Sequence, residues 1–150
     1  SAFLQNPKIV TEISNYIGSS STVVSIDIKK NIWGKYKVYS DVQNRISNQS
    51  PLELAQTAER LGAGEIFINS VDLDGMMTGY DLNLLQEIAE NIHIPVIACG
   101  GAGNISHLQD AIKKTKIAAV AAGSMFVFHG KHKAVLINYP DKEKINTIQK

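Results

Sequence analysis

The feature that most constrains the fold is a repeated alternation of short apolar runs with helical patterns. The runs are rich in β-branched residues and occupy residues 22–28, 65–71, 95–99 and 117–123. Near-continuous apolar strands of this kind are typical of parallel sheets covered by helices. Strand and helix in alternation imply right-handed crossovers between parallel strands. The sequence therefore predicts an α/β fold in a single domain, residues 1–150, built from four βα units that follow a leading helix.

Capping residues predict where the helices begin and end. The first predicted helix follows Asn6-Pro7 and stops at Gly18, and the second begins with a capping box at Ser50-Pro51-Leu52-Glu53 and runs to about Gly62. Two further helices begin at Asp81, as the capping residue, and at Ser106. A short helix is predicted near Ser124 and a terminal one after the capping residue Asp141. Residues 31–49 are polar with interspersed aromatics, which indicates a long loop or a small hairpin. Residues 131–139 carry no clear pattern.

Polar residues and glycines collect at the C-terminal ends of all the predicted strands. They are Asp27; Asn69, Ser70, Asp72 and Asp74; Cys99, Gly100 and Gly101; and Gly123 and Ser124. Parallel α/β folds bind their ligands at this end, in barrels and in open sheets alike. The sequence therefore predicts one site at this edge.

A glycine cluster between the third strand and the next helix predicts an anion site. Gly100, Gly101 and Gly103 fall within four positions. Glycine allows a sharp turn and a close approach to the backbone. The helix that follows directs free N–H groups and a partial positive charge at the turn. Phosphate is the expected anion.

Asp27 has two interpretations, because a carboxylate in an apolar strand is costly unless it is solvated or paired. It pairs with Lys29, Lys30 or a backbone amide, or it is a general acid or base tuned by its pocket. Its position at a strand end favours catalysis.

The sequence predicts no metal and no cofactor. Asp72 and Asp74 lack the other oxygen ligands of a calcium loop, so a turn at Asp74-Gly75 with Asp72 facing the pocket is expected. The four histidines, His93, His107, His129 and His132, show no zinc-like spacing. Cys99 is expected to be a small buried thiol. Glu65, at the opposite end of its strand, is ordinarily a surface or salt-bridge residue.

Charge and composition exclude several classes of protein. Fifteen basic and fourteen acidic residues give a net charge of +1, which argues against a broad nucleic-acid or membrane footprint. No apolar run approaches the roughly 18–20 residues of a membrane span, and no secretion signal opens the chain. Cys99 is the single cysteine, which rules out an internal disulfide. A cytoplasmic location is expected.

With these residues in view, the chain resembles a known family. The segments VVSIDIKK, LGAGEIFINSVDLDG, TGYDLNLL, PVIACGGAGNISH and AAVAAGSMFVF resemble, in order, the cyclase subunit of imidazole glycerol phosphate synthase. The resemblance covers nearly the whole chain and corresponds to the second half of that enzyme. It implies a TIM-barrel family fold, of which this chain is the C-terminal (β/α)4 half-barrel, because a complete barrel takes about 250 residues.

The resemblance also implies a reaction and a partner. In this family a glutaminase subunit releases ammonia, which passes through the barrel to a phosphoribulosyl aminoimidazole carboxamide ribotide. The products are imidazole glycerol phosphate, on the route to histidine, and an aminoimidazole carboxamide ribotide that returns to purine synthesis.

The family's site residues carry over by resemblance. Asp27 matches the catalytic acid on the fifth strand, and Glu65 matches a charged residue at the ammonia entrance. The phosphate-binding positions are Gly101, Gly123 and Ser124, with Gly100 beside them. The substrate-binding positions are Asn69, Ser70 and Asp72 at the end of the sixth strand, with Cys99 on the seventh.

Departures from the family keep alternatives open. The family's other catalytic aspartate and its second phosphate site are absent, and Asn69 and Cys99 stand where many members carry Thr and Ser. One alternative is a paralogous branch that channels ammonia to sugar amidation in surface-polysaccharide synthesis. Another is a half-barrel that binds phosphate or a partner without catalysis. A related phosphoribosyl isomerase ranks lower, because it shows Gly-Pro-Asn at Gly79-Tyr80-Asp81. We expect the half-barrel alone to be inactive as a cyclase and to self-associate.

Overall fold

A computed structural model describes residues 2–129, 134–137 and 139–148 of the chain. Its strands are β1 (Val23–Lys30), β2 (Tyr36–Ser40), β3 (Arg45–Ile46), β4 (Glu65–Ser70), β5 (Val96–Cys99), β6 (Ala119–Val120), β7 (Phe128–His129) and β8 (Ala134–Val135). Its α-helices are α1 (Ala2–Gln5), α2 (Lys8–Ile17), α3 (Pro51–Arg60), α4 (Leu82–Glu90), α5 (Ile105–Lys114), α6 (Ser124–Val127) and α7 (Lys142–Asn146), with a 3₁₀ turn at Ser19–Ser21.

The main sheet has six strands in the order β3-β2-β1-β4-β5-β6. Strands β1, β4, β5 and β6 are parallel neighbours in chain order. Helices α3, α4 and α5 connect them. Each strand therefore lies beside the one before it, as in a TIM barrel, and the four βα units form part of such a barrel. The predicted fold class is confirmed.

The segment between β1 and α3 is a hairpin that joins the sheet. β2 runs antiparallel to the end of β1, with Ile28 opposite Val38 and Lys30 opposite Tyr36, and β3 pairs with β2. The sheet is therefore not purely parallel, and β1 extends beyond its predicted end to Lys30. Because β2 covers the C-terminal part of β1, that edge is less open than four parallel strands alone would leave it.

Alternation along the strands separates two faces of the sheet. Val24, Ile26 and Ile28 of β1 are almost fully buried. So are Ile66 and Ile68 of β4. These side chains belong to one hydrophobic core with apolar residues of α3, α4 and α5, which are Leu54, Ala55, Ala58, Leu84, Leu85, Ile88, Leu108 and Ala111.

The other face carries the residues at the alternate positions and is called the open face below. It comprises Val23, Ser25, Asp27, Phe67, Asn69, Ile97 and Cys99. Its members are exposed or half-buried, and Val23 is 50% exposed. In a closed barrel this face would be the interior.

Most helix ends agree with the capping predictions. Gly18 ends α2 with φ of 90° and donates its N–H to Ser14. Asp81 accepts the Leu84 N–H, and Asp141 accepts the Lys144 N–H. No helix in the described part of the chain is both long and apolar enough to span a bilayer.

Two predicted helix starts are wrong in detail, and one predicted cap makes no hydrogen bond. The N-cap of α5 is Asn104, whose side chain accepts the His107 N–H, so the helix begins before Ser106. Ser50 is the N-cap of α3 and the helix begins at Pro51, as predicted, but the Ser50 side chain makes no capping hydrogen bond. Pro7, rather than Asn6, is the N-cap of α2.

Candidate active site

Three side chains line up across the C-terminal ends of the parallel strands. Asp27 lies opposite Asn69 in the β1–β4 ladder, and Asn69 lies opposite Cys99 in the β4–β5 ladder. The Asn69 Nδ2 donates to Asp27 Oδ1 at 2.9 Å. Because cross-strand partners point to the same face, the three form one row on the open face. Neither Lys29 nor Lys30 forms an ion pair with Asp27 among the described residues.

Only the nitrogen of the Asn69 side-chain amide makes a hydrogen bond, and its oxygen makes none within the described residues. Its Nδ2 binds Asp27, while its Oδ1 is buried without a hydrogen-bond partner within the described part of the chain. A buried acceptor without a donor is destabilising, on the order of 1–3 kcal/mol.

Cys99 is half-buried at the end of the row. Burial raises the pKa of its thiol, the Gly100 backbone N–H partly offsets this, and the charges of Asp74 and Asp27 raise it further. The group is therefore a neutral thiol near pH 7, in agreement with the expected small buried thiol.

The glycines after β5 have a packing reason. Gly100 and Gly101 have φ of 89° and 108°. A Cβ on Gly100 would lie 2.5 Å from the Ser70 carbonyl oxygen, and one on Gly101 would lie 2.1 Å from the Gly79 carbonyl oxygen. The Gly79 N–H also donates to the Gly101 carbonyl at 2.8 Å. The loop that follows β4 thus packs directly on this turn, which accounts for the glycines whether or not an anion binds.

Gly123 and Ser124 follow the next strand at the same edge. Gly123 precedes α6 with φ of −115°, and a Cβ there would meet nothing within 4 Å. The Ser124 hydroxyl oxygen would lie 3.9 Å from a Cβ placed on Gly75, so the two turns are close neighbours. The turn after β5, the turn after β6 and the loop after β4 therefore meet at one edge, as predicted.

Ser70 and Asp72 stand apart from the row. Ser70 is 9% exposed and shares the buried face of β4 with Ile66 and Ile68, because the period of two turns it away from Asn69. Asp72 is exposed, and its Oδ2 accepts the Lys30 backbone N–H at 2.7 Å. Asp72 was expected to face the pocket, but its carboxylate ties the loop after β4 to the end of β1.

Glu65 lies at the opposite end of the sheet, half-buried and opposite Val23. The sequence placed it there correctly. It is separated from the Asp27 row by the length of β4.

A polar cluster that sequence reasoning missed joins the hairpin to α4. The Tyr36 hydroxyl donates to both Asp81 carboxylate oxygens at 2.8 Å, and Lys30 Nζ lies 3.3 Å from Asp81 Oδ2. This contact with Asp81 raises the pKa of Lys30, and burial next to Asp81 raises the pKa of Tyr36. The Asp81 capping signal was visible in the sequence, but the tyrosine partner lay in a segment read only as loop or hairpin.

Two of the histidines, His93 and His107, have structural contacts. His107 Nδ1 accepts the Gly103 N–H at 3.1 Å, and His93 contacts Glu59. His132 lies outside the described residues. Within the described residues no group of three or more His, Cys, Asp or Glu could hold a metal ion. A cavity of about 470 Å³ between α5, β6 and the C-terminal segment contains none of the predicted site residues.

The chain is similar to known proteins over most of its length. The model of the histidine biosynthesis protein family matches residues 1–133. A Pseudomonas aeruginosa protein provisionally named imidazole glycerol phosphate synthase subunit hisF2 is 51% identical over 145 residues, which cover 97% of this chain and 58% of that protein. Two proteins named imidazole glycerol phosphate synthase subunit HisF are similar over 50% of their own lengths. The one from Chlorobium phaeobacteroides is 43% identical over 85% of this chain, and the one from Bacillus cereus is 40% identical over 84%.

The extent of these matches fits a partial barrel. The chain spans between 50% and 58% of the length of these relatives, and its four parallel strands are half of the eight in a complete barrel. The family match spans residues 1–133, the range in which the Asp27 row and both glycine turns lie. The chain therefore belongs to the histidine biosynthesis protein family.

Proposed function

We propose that this chain supplies one half of the active site of an imidazole glycerol phosphate synthase cyclase. The observation that carries the proposal is the row of Asp27, Asn69 and Cys99 at the C-terminal edge of the parallel strands. Relatives named HisF are 40–43% identical to this chain. In parallel α/β barrels this edge holds the catalytic groups, while the other end serves stability.

In this proposal Asp27 is the general acid–base group. It lies on the open face, accessible to a substrate, and its Oδ1 is oriented by the Asn69 amide. In the cyclisation, ammonia condenses with a carbonyl of the substrate and water leaves. The new nitrogen then closes the imidazole ring while the aminoimidazole carboxamide ribotide departs, and these steps move protons to or from nitrogen and oxygen. A carboxylate positioned beside the reacting atoms contributes about 10²–10⁴-fold to such steps.

We assign one substrate phosphate to the two turns beside the row. Gly100, Gly101, Gly123 and Ser124 supply backbone N–H groups and one hydroxyl. The open space over Gly123 leaves room for an anion to approach its backbone. Backbone donors can hold a phosphate without a lysine.

Asn69 and Cys99 would contact the substrate from the row. Ser70 and Asp72 would act only through the backbone and the loop that they hold. We assign Glu65, at the far end, to the ammonia entrance, with a glutaminase subunit as the partner that binds there. The cytoplasm is the proposed location.

An ammonia-dependent cyclase assay tests the proposal. The chain is assayed alone and together with the part of the Pseudomonas relative that it does not match. We expect imidazole glycerol phosphate to form only in the mixture, because the chain alone supplies half of the barrel. If the mixture folds and binds phosphate but shows no turnover, the cyclase assignment is contradicted. The chain would then be a half-barrel that binds phosphate without catalysis.

A further inference from the structure

The turn of the β1–β2 hairpin exposes two large apolar side chains. Ile32 is 89% exposed, and Trp33, the single tryptophan of the chain, is 76% exposed. Neither belongs to the hydrophobic core of the described structure, and the indole ring makes no aromatic or cation–π contact within the described residues. Adjacent apolar side chains at the tip of a protruding turn leave apolar surface that a second molecule can cover.

The turn is held by hydrogen bonds in which these two side chains take no part. Asn31 Oδ1 accepts the backbone N–H groups of Trp33 at 3.0 Å and of Lys35 at 2.9 Å. The Asn31 N–H donates to the Lys35 carbonyl, and the Asn31 carbonyl accepts the Gly34 N–H, both at 2.9 Å. Gly34 has a left-handed φ of 74°. The turn therefore needs Asn31 and Gly34, but its backbone does not require apolar residues at positions 32 and 33.

The base of the hairpin is fixed to the rest of the fold. The Tyr36 hydroxyl and the Lys30 ammonium group both contact Asp81 at the start of α4. The Asp72 carboxylate accepts the Lys30 backbone N–H at 2.7 Å. Because the base and the turn are both held, the two apolar side chains are presented on a preorganised support. Binding to a preorganised surface loses less conformational entropy than binding to a flexible loop.

The surroundings of the turn are basic. Residues 28–40 contain no acidic residue and four lysines, which are Lys29, Lys30, Lys35 and Lys37. Lys30 is paired with Asp81, and the other three form no ion pair with a carboxylate within the described residues. A surface that carries carboxylates is therefore the electrostatic complement of this hairpin. The same charge counts against a twofold contact between two copies of the turn, because it would bring both sets of lysines together.

We propose that this turn docks a second protein whose surface has an apolar pocket bordered by Asp or Glu carboxylates. The Trp33 indole fills the pocket, as tryptophan does at the centre of many interfaces, and the lysines form ion pairs with the border. The turn follows the C-terminal end of β1, whereas Glu65 lies at the N-terminal end of β4. The partner is therefore distinct from the glutaminase assigned to the Glu65 end, and the inference does not depend on the cyclase assignment.

Two steps test the docking surface. Soluble extract of the source cells is passed over the immobilised whole chain and over the double variant Ile32→Ser/Trp33→Ser, and a protein retained by the wild type alone is identified and purified. That protein is then titrated into the chain labelled with fluorotryptophan, whose single tryptophan gives one fluorine NMR signal, from Trp33. We expect a saturable shift of this signal at a ratio of one to one, and an affinity that falls as salt is added.

Variants of single residues separate the turn from the rest of the surface. Trp33→Ser should weaken binding about tenfold or more, because the anchor of the interface is lost. Binding is followed here by calorimetry, since this variant has no tryptophan signal. Lys35→Met should weaken it less and reduce its dependence on salt. Tyr16→Ser is the matched control, because it removes an aromatic ring that is 91% exposed on α2, away from the hairpin. Amide spectra report whether each variant is folded.

Several outcomes would overturn the inference. One is that no protein in the extract distinguishes the two baits. Another is that the purified protein leaves the Trp33 signal unchanged, or that Tyr16→Ser weakens binding as much as Trp33→Ser. A shift that grows with the concentration of the chain alone would assign the turn to a second copy. A shift with vesicles of phosphatidylglycerol, without added protein, would assign it to a lipid surface.

Discussion

At the scale of single residues, the two glycine turns differ in why they need glycine. Gly101 has a left-handed φ, and its neighbour across the turn is the Gly79 backbone oxygen. Gly123 has an ordinary φ and open space where a side chain would be. The same residue type at the same edge therefore serves packing in one turn and accessibility in the other.

We expect Gly101→Ala to destabilise the fold and Gly123→Ala to leave it nearly unchanged. At Gly101 the positive φ alone costs about 1–3 kcal/mol, and a Cβ 2.1 Å from a carbonyl oxygen adds to it. Urea unfolding measures both variants, with Gly123→Ala as the matched control. Equal free energies of unfolding for the two variants would contradict the packing assigned to Gly101.

Gly123→Val should weaken phosphate binding without unfolding the chain. The side chain would occupy open space beside the proposed anion, so the loss should appear in affinity rather than in stability. Calorimetric titration with inorganic phosphate, beside a thermal melt of the same sample, measures the two effects separately. Unchanged affinity in a folded variant would remove Gly123 from the phosphate site.

The Cys99 thiol should react slowly with thiol reagents at neutral pH. Burial raises its pKa, so the reactive thiolate is scarce, and the rate should continue to rise above the pH at which an ordinary thiol is half ionised, about 8.5. The control is the urea-unfolded chain, in which the same single cysteine is fully exposed to the reagent. A folded-state rate equal to the unfolded rate at pH 7 would be inconsistent with this burial.

At the scale of secondary-structure elements, the hairpin and α4 are joined by the cluster of Tyr36, Lys30 and Asp81. Asp81 both caps α4 and accepts from the hairpin. In the folded state Asp81 raises the pKa of Lys30, and burial and Asp81 raise that of Tyr36. The native state therefore holds more protons than the unfolded chain in the alkaline range. The resulting stabilisation is complete below about pH 10, where Lys30 and Tyr36 are protonated in the unfolded chain as well. It is lost as the pH rises through the higher pKa values that these two groups have in the folded state.

Asp81→Asn should reduce this alkaline loss of stability. Asparagine caps a helix as well as aspartate does, so the change removes mainly the charge that raises the Lys30 and Tyr36 pKa values. We expect a free energy of unfolding that is lower than wild type at pH 7 and falls less steeply between pH 9 and 11. Asp141→Asn, a change at another helix cap, is the control. An unchanged alkaline slope in Asp81→Asn would contradict the linkage.

The elements that could be predicted from sequence are those with a strong local signal. The parallel strands and their order follow from apolar runs such as Val23–Ile28, and the Asp81 and Asp141 caps follow from residue type. The pairing of β2 with β1 could not be predicted, because a polar segment with alternating aromatics fits a loop equally well. The sequence predicted that Asp27, Asn69 and Cys99 lie at the C-terminal ends of the strands. It could not predict that they lie directly opposite one another, because this depends on the register between strands.

At the scale of the whole molecule, the open face lacks a cover within the described residues. Val23 is 50% exposed there, and Phe67 and Ile97 are half-buried. The outer edge of β6 pairs with no other described strand. Exposed apolar faces and unpaired edges recruit another chain.

We therefore expect the isolated chain to self-associate through the open face. Light scattering at micromolar concentration should give a mass above 16.4 kDa. Val23→Glu should shift the equilibrium towards monomer, because a charge would be buried in the contact. Ile32→Glu, at an exposed position of the hairpin turn, is the control and should change the mass little. A stable wild-type monomer would contradict this expectation.

The most direct test of the account is the catalytic role of Asp27 in the reconstituted cyclase assay. Asp27→Asn preserves the size of the side chain, but an amide cannot act as a general acid or base. We therefore expect ammonia-dependent turnover to fall about 10²–10⁴-fold while phosphate binding is retained. Asp110→Asn, at an exposed ion pair on α5, should keep wild-type turnover. Near-normal turnover of a folded Asp27→Asn variant would contradict the central claim that the row at this edge of the sheet is the catalytic site.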